Sequence, residues 1–131
     1  MNYSKIAYEV IEKGWRDIIN DEFRNVYISD IAEEKGDESI RINLVSSEDI
    51  LTMNNIEERE YIIDVFYSFI NDDSGRNQYV KNRVDRLKQL IYDNATTNNW
   101  FGLSIPIIDY AVEDDRSEVK LTITVRYLDV I

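Results

Sequence analysis

Glu58–Asn71, EREYIIDVFYSFIN, is the stretch on which the fold of this chain turns. Read as a strand, it places Tyr61, Ile63, Val65, Tyr67 and Phe69 on one face and Glu60, Ile62, Asp64, Phe66 and Ser68 on the other. One face is wholly apolar and the second is mixed, which assigns the strand to the middle of a sheet. Its apolar face is expected to meet a helical layer. The opposite face is expected to be partly covered or to meet another subunit.

Two further segments alternate in the same way. In Ser39–Ser46, Ile40, Ile42 and Leu44 alternate with Arg41, Asn43 and Val45. In the last stretch, Val119, Leu121, Ile123, Val125 and Tyr127 alternate with Lys120, Thr122, Thr124, Arg126 and Leu128, the most regular half-buried pattern in the chain. The strand before it begins near Trp100, Phe101 and Leu103 and contains the single proline, Pro106. Proline cannot donate to a ladder, so this strand starts there, lies on an edge or is bulged. Glu113–Ser117 reads as the polar turn between the last two strands.

Helical spacing appears twice. Ile6, Val10, Ile11, Ile18 and Ile19, with Trp15 beside them, mark a helix over 2–20, with Ser4 placed to cap it. Gly14 in its interior costs about 1 kcal/mol relative to alanine, which points to close packing against another element. Val80, Val84, Leu87 and Ile91, widened by Leu90, mark a second helix over 77–92. Its other face carries Lys81, Arg83, Arg86 and Lys88, the one basic cluster in an acidic chain, readable as a solvated face or as a contact for an acidic neighbour. Asp72–Gly75 reads as the break before this helix, and its acids fit capping better than the alternating ligands of a calcium loop. Asp93–Asn99 is a loop by composition.

Two segments carry no clear period. Phe23, Val26, Tyr27, Ile28 and Ile31 fit either a short strand or a further helical turn. In 46–58, SSEDILTMNNIEE, small and acidic residues surround Ile50, Leu51, Met53 and Ile56, so an extended excursion between paired strands is expected there. The order is helix, strand, long loop, strand, helix, strand, strand (α-β-β-α-β-β). It predicts a single α+β domain over 1–131, with an antiparallel or mixed sheet of about four strands and both helices on one face.

Composition narrows the chemistry. The 131 residues include neither cysteine nor histidine, which excludes disulfides, thiol nucleophiles, thiolate metal sites and imidazole mechanisms. Lack of cysteine fits a reducing cytoplasm. No leader-like opening and no apolar run of roughly 18 residues is present, so a soluble protein with no membrane contact is expected. A formal net charge of −11 argues against non-specific binding to phosphate backbones. It reads as a solubilising surface, or as one shaped for a basic partner or in imitation of DNA. Nine tyrosines fit a sheet-rich fold with some interface.

The four glycines, Gly14, Gly36, Gly75 and Gly102, are too scattered for a phosphate loop. Serine has no histidine partner for nucleophilic attack. The remaining enzymatic reading is a carboxylate metal site built from Glu60, Asp64 and a later acid such as Asp109. Against it, a strand carboxylate such as Asp64 is more often solvated or paired, for example with Arg126.

The amphipathic first helix, the IRINLV strand, a long polar loop, EREYIIDVFY, a helix with V-x-x-R-V-D-R-L-x-x-L-I and the terminal VKLTITVRY together resemble the tail terminator and head-tail completion proteins of tailed bacteriophages. The likeness covers nearly the whole chain in length, element order and texture. It implies a non-enzymatic virion protein without cofactor or metal, assembled in the host cytoplasm into a hexameric ring at the neck end of the tail. Such a ring ends tube growth and contacts the tail tube protein and neck or connector proteins. DNA passes through without specific binding. On this reading Tyr61, Tyr67, Met53, Trp100, Phe101, Arg83, Arg86 and Tyr127 are the candidate subunit or partner contacts.

Overall fold

The computed structural model describes residues 5–28, 38–70, 76–112 and 116–130. Ser4, Ile31, Gly36, the Asp72–Gly75 break and Glu113–Asp115 lie outside them. Wide π-helical turns over Ile6–Glu12 run into α1 (Lys13–Asn20). β1 (Val26–Ile28), β2 (Glu38–Met53) and β3 (Ile56–Ile70) follow, then α2 (Arg76–Asp93), β4 (Phe101–Val112) and β5 (Arg116–Val130). The described residues form an α+β fold with one five-stranded sheet in the order β1-β2-β3-β5-β4. β1 pairs in parallel with β2, and the other neighbours are antiparallel.

β3 is the middle strand, as its two-faced pattern requires. Tyr61, Ile63, Val65 and Tyr67 are buried on the helix side, where they meet Ile40 and Ile42 of β2 and Val119, Leu121, Ile123 and Val125 of β5. The π-helical turns and α1 bring Ile11, Trp15 and Ile19 onto this surface at successive spacings of four residues, and Phe23 continues the line. α2 brings Val80, Val84, Leu87, Leu90 and Ile91, the stripe that its periodicity marks.

Two features differ from the sequence reading. The strand count is five, because Val26–Ile28 forms a parallel edge strand. Asn25 makes that pairing possible: its φ of 56° turns the chain, its amide donates to the Glu38 carbonyl at 3.0 Å, and its own carbonyl accepts from Ile40 N at 2.9 Å. The expected excursion over 46–58 is no loop. β2 continues to Met53, turns through Asn54 and Asn55, and returns as β3 from Ile56. Asn54 takes the turn at φ 56°, a conformation that asparagine tolerates better than most residues.

The reason the period vanished is visible in the register. The pairing of β2 with β3 shifts between Leu44 and Ser46 and again between Asp49 and Leu51. Each extra residue reverses which side the following side chains face. Ser47 and Asp49 therefore share the helix side that Ile40 and Ile42 occupy earlier, and after the second shift Leu51 and Met53 point to the opposite side. β4 is the other edge, and Pro106 sits where its pairing with β5 is irregular, between Ser104 and Ile107. Gly102, at φ 63°, lies in the neighbouring irregularity, with the Arg126 side chain where a Cβ would make contact at 3.4 Å.

Trp15 and Trp100 stack at 4.5 Å between ring centroids, 13° from parallel. Trp100 is tied by its Nε1, which donates to the Asn94 carbonyl at 2.6 Å. Asn94 in turn donates to the Leu90 carbonyl and accepts from Thr97 Oγ1, each at 2.8 Å, so the loop after α2 is anchored to the end of that helix. Gly14 lies directly beneath this arrangement. A Cβ there would stand 2.8 Å from the Asn98 amide nitrogen and 3.1 Å from the Trp100 ring, which accounts for glycine inside the helix.

Gly14→Ala sets a gain of about 1 kcal/mol in helix propensity against a clash with a ring that is stacked, buried and hydrogen-bonded. Overpacking of this kind typically costs about 1–3 kcal/mol. The variant is expected to unfold at lower urea concentration than the wild type. Unfolding at higher urea would mean that Trp100 moves aside freely.

Candidate interaction surface at the hairpin tip

The sheet face opposite the helices is lined by cross-strand pairs. Thr122 donates to Asp64 Oδ1 at 2.8 Å, and the Ser104 and Thr124 hydroxyls meet at 2.6 Å. Arg126 lies 3.5 Å from Glu60, and Lys120 lies 3.7 Å from Asp109. The Arg41 guanidinium covers the Phe66 ring at 4.3 Å, and Arg116 Nε donates to the Ser68 hydroxyl at 3.0 Å. These contacts half-bury the middle of the face without a covering layer.

The three carboxylates of the metal-site reading are each taken up in this ladder. Asp64 stands opposite Thr122, whereas Arg126 stands opposite Glu60, four residues away on the same strand. That spacing separates Glu60 from Asp64 by about 13 Å along the strand, too far to share one ion. Among the described residues, no three acidic side chains gather to hold a metal.

At the hairpin end the same face becomes apolar. Leu51, Glu58 and Leu128 stand in one cross-strand row, with Met53 and Ile56 in the next. Leu51 and Leu128 are each 53% exposed and Met53 is 61% exposed, high values for apolar side chains so close together. Leu51, Met53, Asn54, Ile56, Glu58 and Leu128 enclose a shallow hollow of about 140 Å³. Among the described residues nothing covers it.

The helix side of the same end is arranged differently. Glu57 is buried and holds Arg59 at 2.6 Å, and Arg59 also donates to the Ser47 hydroxyl at 2.9 Å and the Ser47 carbonyl at 3.1 Å. Burial pushes the Tyr61 phenol above its ordinary range, against the pull of nearby Arg59. This bonded network stiffens the β2–β3 arm that carries the apolar tip.

The sequence-derived contact residues separate into two groups. Tyr61, Tyr67 and Trp100 are each about 1% exposed and spend their surface inside the core, so they offer nothing to a second chain. Tyr127 packs against the core from a half-buried position, and Phe101 is half-buried at the start of β4. Arg83 lies 4.0 Å over the Phe23 ring and donates to the Glu22 carbonyl at 3.2 Å, while Arg86 is bonded to the Glu22 carboxylate. Part of the basic face of α2 is thus matched to the end of α1. Met53 is the one of the eight that stands out into solvent as a large apolar group. Leu51, Ile56 and Leu128 were missed as its companions, because only the register brings them together.

A second concavity, about 400 Å³, lies at the other end of the sheet between Phe23, Glu38, Tyr67, Tyr79 and Arg83. Tyr67 donates to one oxygen of Glu38, and Tyr79 donates to the other at 2.7 Å. Burial, then the Glu38 carboxylate itself, push the Tyr67 phenol far above its ordinary range. At neutral pH it is a fixed donor and not a base. This cleft organises hydrogen bonds between β2, β3 and α2, and it presents no activated nucleophile among the described residues.

The Glu22–Arg86 contact carries a pH signature. The bond to Arg86 lowers the Glu22 carboxyl below its ordinary value of 4.5, and the arginine charges add to the effect. A lowered folded-state pKa contributes stability that is present above the unfolded value and is lost as pH falls through the folded one. Arg86→Ala is therefore expected to lower the melting temperature slightly at pH 7, with the gap to wild type closing on acidification below about 4.5. A gap that stayed constant across this range would mean the pair is screened to no effect. Compared with known proteins, the chain matches no family and no curated relative.

Proposed function

We propose that this chain is a non-enzymatic structural protein of a tailed bacteriophage. It assembles as a ring at the head-proximal end of the tail, as a tail terminator or neck component. The observation that carries this reading is the apolar tip of the β2–β3 arm, left uncovered among the described residues on a sheet whose helices lie on the other side. A chain of this size gains little from keeping such side chains in water, and contact with another copy covers them.

The resemblance in element order and texture supplies the setting. In it the ring stops tube growth and joins the tail tube protein to the neck proteins. The acidity suits a passage through which DNA slides without sticking, since a negative wall repels phosphate. The acids of the described residues are spread over α1, the arm, α2 and β4, which fits a general repulsive surface better than a compact imitation of a DNA backbone.

Native mass measured over a concentration series, with electron microscopy of the product, tests the reading. A closed ring of about six copies is expected, as cyclic symmetry allows. Monomers at every concentration, including in the presence of purified tail tubes, would overturn it.

A further inference from the structure

Two surfaces of this chain are complementary to each other and cannot meet within one molecule. The first is the tip hollow, on the open side of the sheet, with Glu58 in its wall. Of the acids in 46–60, Glu48, Glu58 and Glu60 face this open side, whereas Asp49 and Glu57 face the helix side with Arg59. The second is α2, on the opposite side of the sheet. Over Arg76–Asp93 it holds five basic residues and two acidic ones; Arg83 and Arg86 are held at Glu22 and Phe23, and Lys81 and Lys88 lie on the side that also carries Asp85 and Tyr92.

The hollow has room for one aromatic ring. A cavity of about 150 Å³ is enough to take up one benzene ring, and the hollow measures about 140 Å³. Exposed tyrosines in the described residues are Tyr8, Tyr79, Tyr92 and Tyr110. Tyr79 has its hydroxyl on Glu38. Tyr8 is followed by Glu9 and, four residues on along the same helical side, by Glu12, and Tyr110 follows Asp109. Tyr92, 48% exposed, lies four residues after Lys88 and eleven after Lys81, which places one aromatic ring and two lysines along the same side of α2, with Asp85 between the lysines.

Resting on the ring-forming reading above, we propose that the tip hollow is the docking site for α2 of a second copy, with that copy's Tyr92 ring inserted between Met53 and Leu128 and its Lys88 against Glu58. A tyrosine at such a site supplies apolar area with a polar end, and a lysine four residues away fixes the register. The two surfaces lie on opposite sides of one sheet, so the contact is head-to-tail. Repetition of such a contact closes a ring or extends a filament, and a two-fold dimer cannot use it.

The test uses two single-surface variants of the full chain, each checked for wild-type circular dichroism and melting. Met53→Lys blocks the hollow, and Tyr92→Ala combined with Lys88→Glu blocks the helix. Each alone is expected to weaken self-association at least about tenfold, the ordinary loss at a central interface residue. Mixed in equal amounts, they should form a 1:1 dimer in sedimentation velocity and no larger species, because each retains the surface the other lacks. Glu58→Lys with Lys88→Glu in one chain should recover most of the association that either loses alone.

Rings that form normally from both blocked variants would overturn the docking proposal while leaving ring assembly standing. A mixed dimer from variants of a wild type that builds only open filaments would do the reverse. Failure of the mixture to associate, or wild-type chains that stay monomeric at the highest concentrations, would sink the proposal itself.

Discussion

The stack of Trp15 on Trp100 over a bare glycine backbone is the contact on which the rest of the packing depends. It joins the first helix to the segment that leads from α2 into β4, two parts of the chain more than eighty residues apart in sequence. Both rings are almost fully buried, so the join removes a large apolar area from water and aligns the helical layer over β3. Gly14 permits the approach, and the Asn94 carbonyl holds Trp100 in the orientation the stack requires.

With the helical layer in place on one side, the two sides of the sheet divide the work. The helix side holds the core, ended at the arm by the Glu57–Arg59–Ser47 network and at the other end by Tyr67 and Tyr79 on Glu38. The open side is covered mainly by its own cross-strand pairs, which satisfy polar groups without needing a second layer. At the hairpin tip those polar pairs stop and apolar side chains begin. This exposed apolar hollow, at the end where β2, β3 and β5 pair side by side, is the surface on which the proposed head-to-tail contact rests.

Much of this was legible from residue order alone. The alternation in Tyr61–Phe69 placed β3 in the centre, the α2 stripe matched its buried residues, and Pro106 limited its strand to a start, an edge or a bulge. Gly14 announced a close contact, although its partner could not be named. These readings succeed because period and backbone chemistry are local: a strand must alternate, and a proline must lack its N–H.

What only the tertiary structure decided is register and partner choice. The two shifts in β2 erased the alternation over 46–58, so a paired arm looked like a loop, and the apolar tip was hidden with it. A three-residue parallel strand is too short for any period to reveal, and it exists because Asn25 turns the chain onto β2. Tyr61, Tyr67 and Trp100 have the composition of interface residues yet lie in the core, since a side chain's amphipathic character does not say which surface it covers. Sequence by itself therefore determined the central strand, the last strand, the two helical stripes and the chemistry that lack of cysteine and histidine excludes. The juxtaposition of Leu51, Met53, Ile56 and Leu128 came from the pairing of three strands, a long-range relation that no local pattern contains.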